Sequence, residues 1–438
     1  MPPPMPLCRS RVTYSMVRRS AQVGRSVRTG SWISLVLVVL LLGVAASGLK
    51  RSQATPLPKC LERLDSKRCY GPAQVHLAYE VDPLLRRGIT GKGRTIAIVV
   101  SFGSPTIRSD LHAFDQAFSL PDPQLDIRAP LGTRQPLHSG WQGETTLDVE
   151  WAHAMAPGAR IVLLTSPVDE TEGVRGLPEF LALERYAVQH HLADVISQSW
   201  AATEDTLLDK PGRALVAQFH QFYGAATKQG VTIVGATGDD GAAGPDLSAR
   251  HLLPYRVVQY PASDPFVLAV GGTRLVLNSS GRTETAWEGS GGGFSKLFSE
   301  PSYQHRLPAS TQNLLHGRRG LPDVALNAAS PILIYWRGHW RLAGGTSASA
   351  PQWAGLIALA DSEAGHDLGS IQAELYQLAD SPRYHADLND ITSGSIRDPP
   401  GSQSKQTPLR AAPGWDAATG LGSPRAASLL PDLIRLNS

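Results

Sequence analysis

The sequence predicts an α/β fold in which a mainly parallel central sheet is flanked by helices. Two observations carry that prediction. Short runs of apolar and β-branched residues recur at 95–100, 159–164, 193–197 and 230–236. Segments with helical spacing or composition lie between consecutive runs, at 143–155, 181–190 and 214–229. Continuous apolar runs fit strands buried on both faces, and alternation with helices implies parallel pairing through crossovers. A chain of 438 residues, 42% of them apolar, can bury a large core as one large domain or two medium ones.

The N-terminal region comes first. Residues 1–31 carry Arg9, Arg11, Arg18, Arg19, Arg25 and Arg28 and no acidic residue. The charge-free run 32–49 follows, and its 18 residues are the lower limit for a membrane-spanning helix. Arginines before it would stay in the cytoplasm. Val44-Ala45-Ala46 offers small residues for signal cleavage. The segment reads as a signal peptide or a membrane anchor, and both place the rest of the chain outside the cytoplasm, secreted or anchored. Residues 50–70 read as a linker and 71–438 as the folded domain. Cys60 and Cys69 either pair or stay free thiols, and Cys8 lies in the basic leader.

Within the domain, Gly91-Lys92-Gly93-Arg94 is a turn and 95–100 the first buried strand. The stretch 143–155 reads as a helix, with Leu147, Trp151 and Ala154 at helical spacing and Pro157-Gly158 ending it. The strand at 159–164, helix at 181–190, strand at 193–197, helix at 214–229 and strand at 230–236 complete the pattern. Ligands of such sheets bind beyond the carboxyl ends of the strands. The loops after residues 100, 164, 199 and 236 are therefore expected to surround the site.

The stretch Gly344-Gly345-Thr346-Ser347-Ala348-Ser349-Ala350-Pro351 precedes an apolar run. Proline suits a helix's first turn, so Ser347 is expected where a helix begins. Free N–H groups and the positive dipole end there favour developing negative charge. A glycine turn with a serine helix cap is the plainer reading. A serine nucleophile needs a base, usually histidine. The stretch resembles the nucleophile motif of subtilisin-like proteases, but Val100 fills their aspartate slot and no His-Gly-Thr occurs. His138 and His153 are the nearest histidines, and neither has that context.

Glu144 and Asp148 instead stand one helical turn apart on one face. Such a pair can share a proton, with Glu144 as base and Asp148 behind it. A carboxylate base suits acid, where histidine is protonated. A solvated acidic helix face is the plainer reading. Asp239, in Gly238-Asp239-Asp240-Gly241, is either an oxyanion donor kept neutral or a turn residue. A formal net charge of +3 gives no reason to expect nucleic acid.

Taken together, these stretches resemble the sedolisins, serine-carboxyl peptidases with a subtilisin-like fold. The matching motifs, in order, include Gly143-Glu144 with Leu147-Asp148, Ser197-Gln198-Ser199-Trp200, Gly238-Asp239 with Gly241, and Tyr260–Pro265. Ala269–Thr273, Trp287–Gly293, Pro322–Ala325 and Gly345–Pro351 follow, so the resemblance covers roughly residues 71–430. It implies Glu144 as general base, Asp148 as its assistant, Asp239 in the oxyanion hole and Ser347 as nucleophile. It also implies that Ser290, Gly291, Gly292 and Gly293 line the substrate as an added-strand partner.

The resemblance further implies a Ca²⁺ site with the Asp390 and Asp416 side chains and the carbonyls of Ile391, Ala412 and Gly414. Asp390 and Asp416 bracket a polar loop whose oxygens suit that cation. Ala412 stands where the family usually has glycine, and its carbonyl stays a ligand if the backbone angle is kept. Ala201 stands where glycine commonly follows the Ser-x-Ser-Trp motif, and Gln198 is unusually polar for a strand end, so specificity is expected to differ. The expected function is an acid-acting serine-type peptidase, a monomer whose partner is a peptide or protein substrate. The alternative is a membrane-tethered, catalytically silent peptide-binding protein on the same fold.

Overall fold

The computed structural model describes residues 57–61, 69–134, 140–279, 281–400 and 409–437. Ala54–Ser438 forms one compact unit. The expected basic region 1–31 and the signal or anchor segment 32–49 lie outside the described residues. Among the described residues, no helix is long and apolar enough to cross a membrane.

Through the first half, the elements that position the site are β1 (Thr95–Ser101), α1 (Ile107–Phe118), β2 (Leu125–Arg128), α2 (Gly140–Met155), β3 (Arg160–Ser166), α3 (Leu177–Gln189), β4 (Val195–Gln198), α4 (Lys210–Thr227) and β5 (Thr232–Ala236). The second half adds β6 (Val267–Asn278), β7 (Gly281–Ala286), β8 (Gly293–Ser299), β9 (Arg318–Leu321), β10 (Val324–Asn327), β11 (Ile332–Trp336), β12 (His339–Ala343) and α5 (Thr346–Ala364).

The central sheet runs β10-β6-β5-β4-β1-β3-β2 with every pairing parallel. Strand β7 adds antiparallel to β6. Ile98 of β1 faces Leu163 of β3 on one side and Ser197 of β4 on the other. The chain order reverses around β1, which is where parallel sheets open a crevice at their carboxyl ends. The α/β reading is therefore correct, and the four expected strands all form, with ends shifted by one or two residues.

Helices α2 and α5 pack on each other and against the sheet, while α3 and α4 pack together elsewhere on it. The α2–α5 crossing is close. A side chain at Gly355 would meet Met155 Cβ at 2.5 Å and the Ala152 carbonyl at 3.1 Å. The helix starts lie outward of those expected, for local reasons. Pro178 lies in the first turn of α3, whose cap is Gly176 at φ 87°. The Asp209 side chain caps α4 by accepting from the Gly212 N–H at 2.7 Å.

Among the elements not anticipated, two stand out. Helix α1 has an amphipathic face that buries Ile107, Leu111 and Phe114. Strand β6 is 12 residues long, and its Gly271-Gly272 pair hides it from a propensity reading. Cys60 and Cys69 are joined by a disulfide, which resolves the open choice about those thiols. The next residue, Tyr70, docks on β11: its N–H donates to the Pro331 carbonyl and its carbonyl accepts from Leu333 N–H. Asn278, which ends β6, is exposed.

Candidate active site

Helix α5 begins at Thr346, with Gly345 before it at φ 95°. A Cβ on Gly345 would sit 2.4 Å from Asp239 Oδ2, so only glycine admits both the turn and the carboxylate. Ser347 is the second helical residue and half-buried. Its N–H has no hydrogen-bond partner among the described residues. The expectation that Pro351 lies in the first turn is corrected, because it stands in the second turn of α5. There it removes the N–H that would have bonded the Ser347 carbonyl. Ser199 Oγ lies 3.4 Å from that carbonyl.

Ser199 leaves the carboxyl end of β4 and donates to Asp148 Oδ1 at 2.7 Å. Asp148 is fully buried, and its Oδ2 has no partner. Burial first, then the Glu144 charge, pushes the Asp148 carboxyl well above its ordinary pKa, with the Ser199 bond opposing. One turn earlier, burial and then the Asp239 charge push Glu144 up to about 7, while hydrogen bonding with the Ser347 side chain opposes them. Glu144 as a residue is half-buried, but its Oε1 is enclosed and has no protein partner. The helix face is thus no solvated acidic stripe.

Asp239 follows β5 in the loop that closes on the start of α5. Its Oδ1 accepts from Thr346 N–H at 2.8 Å and from Thr346 Oγ1 at 2.9 Å. Thr346 Oγ1 also accepts from Gly238 N–H at 3.0 Å, which ties the loop to the helix. Protein crowding pushes the Asp239 carboxyl up, against the Thr346 bonds. The residue is nevertheless exposed, so cleft water moderates that push.

Of the expected loops, those after 199 and 236 supply Ser199 and Asp239. The loop after 164 brings Glu170, whose carboxyl is pushed well above its ordinary value by burial and by acidic neighbours that include Glu144. The loop after 100 bonds to the β3 exit through Ser101 Oγ and the Val168 carbonyl at 2.8 Å. Ser199 and Thr346 were quoted in motifs without a role. Their position at the carboxyl end of a strand and beside the nucleophile was the available signal.

No described histidine hydrogen-bonds Ser347. His153 lies on α2 but turns away, with Nε2 2.8 Å from the Pro121 carbonyl and 3.3 Å from Asp115 Oδ1. His138 lies outside the described residues. Val100 is buried in β1.

Ser290, Gly291, Gly292 and Gly293 are all buried. Ser290 Oγ accepts from Gly272 N–H at 2.9 Å, and Gly291 N–H donates to the Gly238 carbonyl at 2.8 Å, next to Asp239. A side chain on Gly291 or Gly292 would collide with the Thr237 or Ala417 carbonyl, at 1.7 Å and 2.0 Å. These glycines first serve close backbone packing.

The second constellation joins the 390 and 412–416 loops. Gly414 N–H donates to Asp390 Oδ2 at 3.0 Å, and Ala412 N–H to Asp416 Oδ2 at 2.9 Å. Asp416 Oδ1 accepts from Ala418 and Thr419 N–H groups at 2.8 and 2.9 Å. Asp390 Oδ1 is buried without a partner. Among the described residues, no group of three or more His, Cys, Asp or Glu side chains gathers as a metal cluster. Two neighbouring carboxylates, one with an orphaned buried oxygen, are hard oxygen donors of the kind that suits Ca²⁺ rather than a softer ion.

The chain matches the Subtilase family over residues 142–378. It is 33% identical over 382 residues to kumamolisin of Bacillus sp. (strain MN-32), a match covering 83% of this chain and 64% of that protein. It is 29% identical over 380 residues to tripeptidyl-peptidase sed4 of Aspergillus fumigatus, covering 74% of this chain and 61% of the relative. The chain thus spans under two thirds of the length of these relatives. The structure of Pseudomonas sedolisin (serine-carboxyl proteinase) complexed with two molecules of pseudo-iodotyrostatin superposes with a TM-score of 0.69. That match has 26% identity and covers 83% of this chain and 97% of that one.

Proposed function

The chain belongs to the sedolisin family of serine-carboxyl peptidases, within the subtilases, and from that premise we propose that it hydrolyses peptide bonds in acid through Ser347, Glu144, Asp148 and Asp239. One observation carries this reading. Two enclosed carboxylates on α2 meet the helix-start serine of α5, and Asp239 is fixed to the same helix start.

Ser347 Oγ attacks the peptide carbonyl carbon as its proton passes to Glu144. The oxyanion accepts from the Ser347 N–H and from a protonated Asp239. Collapse breaks the C–N bond, and Glu144 returns the proton to the leaving amine. The acyl group now sits on Ser347 as an ester. Water then attacks it, Glu144 takes the water's proton, and Ser347 leaves with that proton restored. Asp148, held by Ser199, keeps a proton beside Glu144 and so lets Glu144 ionise without two buried anions. Cleavage is internal or from a chain end in tripeptides, with the substrate backbone running beside Ser290–Gly293 and Ser199.

Asp390, Asp416 and the carbonyls of Ile391, Ala412 and Gly414 would hold Ca²⁺, which neutralises the carboxylates and ties the two loops. The Cys60–Cys69 disulfide supports an extracytoplasmic location. The test is hydrolysis of denatured protein by Ser347→Ala and Glu144→Gln. Each is expected to lose about 10⁴-fold or more in kcat, the scale of removing a nucleophile or its base. Full activity of Ser347→Ala sinks the reading.

A further inference from the structure

A groove of about 1090 Å³ lies between the paired strands β8 and β9, residues 310–316, the 254–257 segment and the 409–417 loop. It is distinct from the four catalytic side chains, none of which lines it. It begins at Gly293, two residues beyond Gly291, whose N–H holds the Gly238 carbonyl next to Asp239. At about 3.3 Å per extended residue, the groove starts within roughly 10 Å of the oxyanion loop's anchor. Its volume lies just above the range of about 300–1,000 Å³ that takes a drug-sized ligand, so it admits several residues of an extended peptide.

The lining has two parts. Tyr255 and Leu314 expose 47% and 59% of their surface, large for apolar side chains, and half-buried Phe294 lies with them. Around them stand cations. Arg256 is spent on Asp398 and Lys296 on Asp205, each at 2.6 Å. Arg318 and Arg410 are exposed and have no carboxylate partner among the described residues. The acid that lines the groove, Asp416, is committed to backbone N–H groups and Thr419. The groove therefore presents unsatisfied positive charge beside open apolar surface, close to the reacting end of the site.

We propose that this groove docks an acidic, aromatic-bearing stretch of the polypeptide substrate, away from the bond being cut. The proposal rests on the peptidase reading above. Carboxylates of the stretch pair with Arg318 and Arg410, and an apolar side chain rests on Tyr255 and Leu314. One wall is the 412–416 loop, so this loop couples the candidate cation site to the groove. Such a contact adds affinity for long substrates without touching the reacting atoms, which lowers KM rather than raising kcat.

The experiment measures fluorescence anisotropy with the Ser347→Ala chain, which cannot turn over its ligand. Two labelled peptides of equal length are compared near about pH 5.5, where model carboxylates are ionised. One is rich in Asp and Glu with a central Phe, and the other replaces the acids with Lys. The acidic peptide is expected to bind, and added salt to weaken it. Arg318→Glu with Arg410→Glu is expected to weaken it about ten-fold, with the paired Gln substitutions intermediate. Circular dichroism checks that the variants fold. Equal binding of both peptides, or no loss in either double variant, overturns the proposal. Displacement by millimolar inorganic phosphate would assign the arginines to a small anion and overturn it too. Hydrolysis of a short neutral peptide by the Ser347 chain tests the peptidase reading separately.

Discussion

At the scale of the residue, the pH behaviour of the proposed reaction turns on two carboxyls with opposite requirements. Glu144 accepts a proton only when ionised, and with its pKa pushed up to about 7 that form is lost as pH falls. Asp239 donates to the oxyanion only when protonated, and that form is lost as pH rises through its raised pKa. The two Thr346 bonds and cleft water restrain the rise at Asp239, and hydrogen bonding with Ser347 restrains the rise at Glu144. The competent form, with Glu144 ionised and Asp239 protonated, therefore peaks between the two ionisations. Asparagine donates at every pH. Asp239→Asn is expected to lose about 10–100-fold in kcat/KM and to shift the alkaline limb upward. A pH–rate profile with an unmoved alkaline limb would contradict Asp239 as a protonated donor. Glu144, Asp148, Asp239 and Ser347 were all legible in the sequence because carboxylates and a glycine-flanked serine leave spaced motifs. Ser199 and Thr346 were not, because a hydroxyl acquires its role from the partner that folding brings to it.

At the scale of the element, the site depends on how closely α2 and α5 cross. The proposed base and its assistant ride on α2, the proposed nucleophile starts α5, and Gly355 sets their separation against Met155 and Ala152. Gly355→Val forces side-chain atoms into a contact already filled. Overpacking of this kind costs about 1–3 kcal/mol, and misplacement near 1 Å costs about 10²-fold in rate. Denaturant unfolding and kcat are expected to fall together, and a variant with native stability and rate would show that the crossing is not what sets the geometry. Strands β1, β3, β4 and β5 and helices α2, α3 and α4 were legible from apolar runs and spacing. Their ends were not, because the Gly176 turn and the Asp209 cap act through geometry. The position of Pro351 was misread because the helix begins at Thr346, which leaves the proline in its second turn.

At the scale of the whole molecule, the fold carries many enclosed acids. Burial pushes Glu172 up to about 7 and Asp361 up to about 8, and drives Glu150 and Glu184 well above their ordinary values. An acid with a raised folded-state pKa makes the native state bind more protons than the unfolded chain. Its stabilising contribution is present at low pH and is lost as pH rises through the folded pKa. The Tm of the Ser347→Ala chain is therefore expected to fall from pH 5 to 8, and a rise across that window would contradict the burial argument. The doubly wound sheet was legible at this scale, whereas the basic groove was not, because its walls come from segments far apart in sequence. The central claim is that carboxylates, not histidine, run the serine chemistry. The dependence of kcat/KM on pH for hydrolysis of a peptide substrate tests it most directly. A bell with its maximum below about pH 7, lost in Glu144→Gln, is the expected result. Activity that rises through neutrality to an alkaline plateau and survives Glu144→Gln would contradict it.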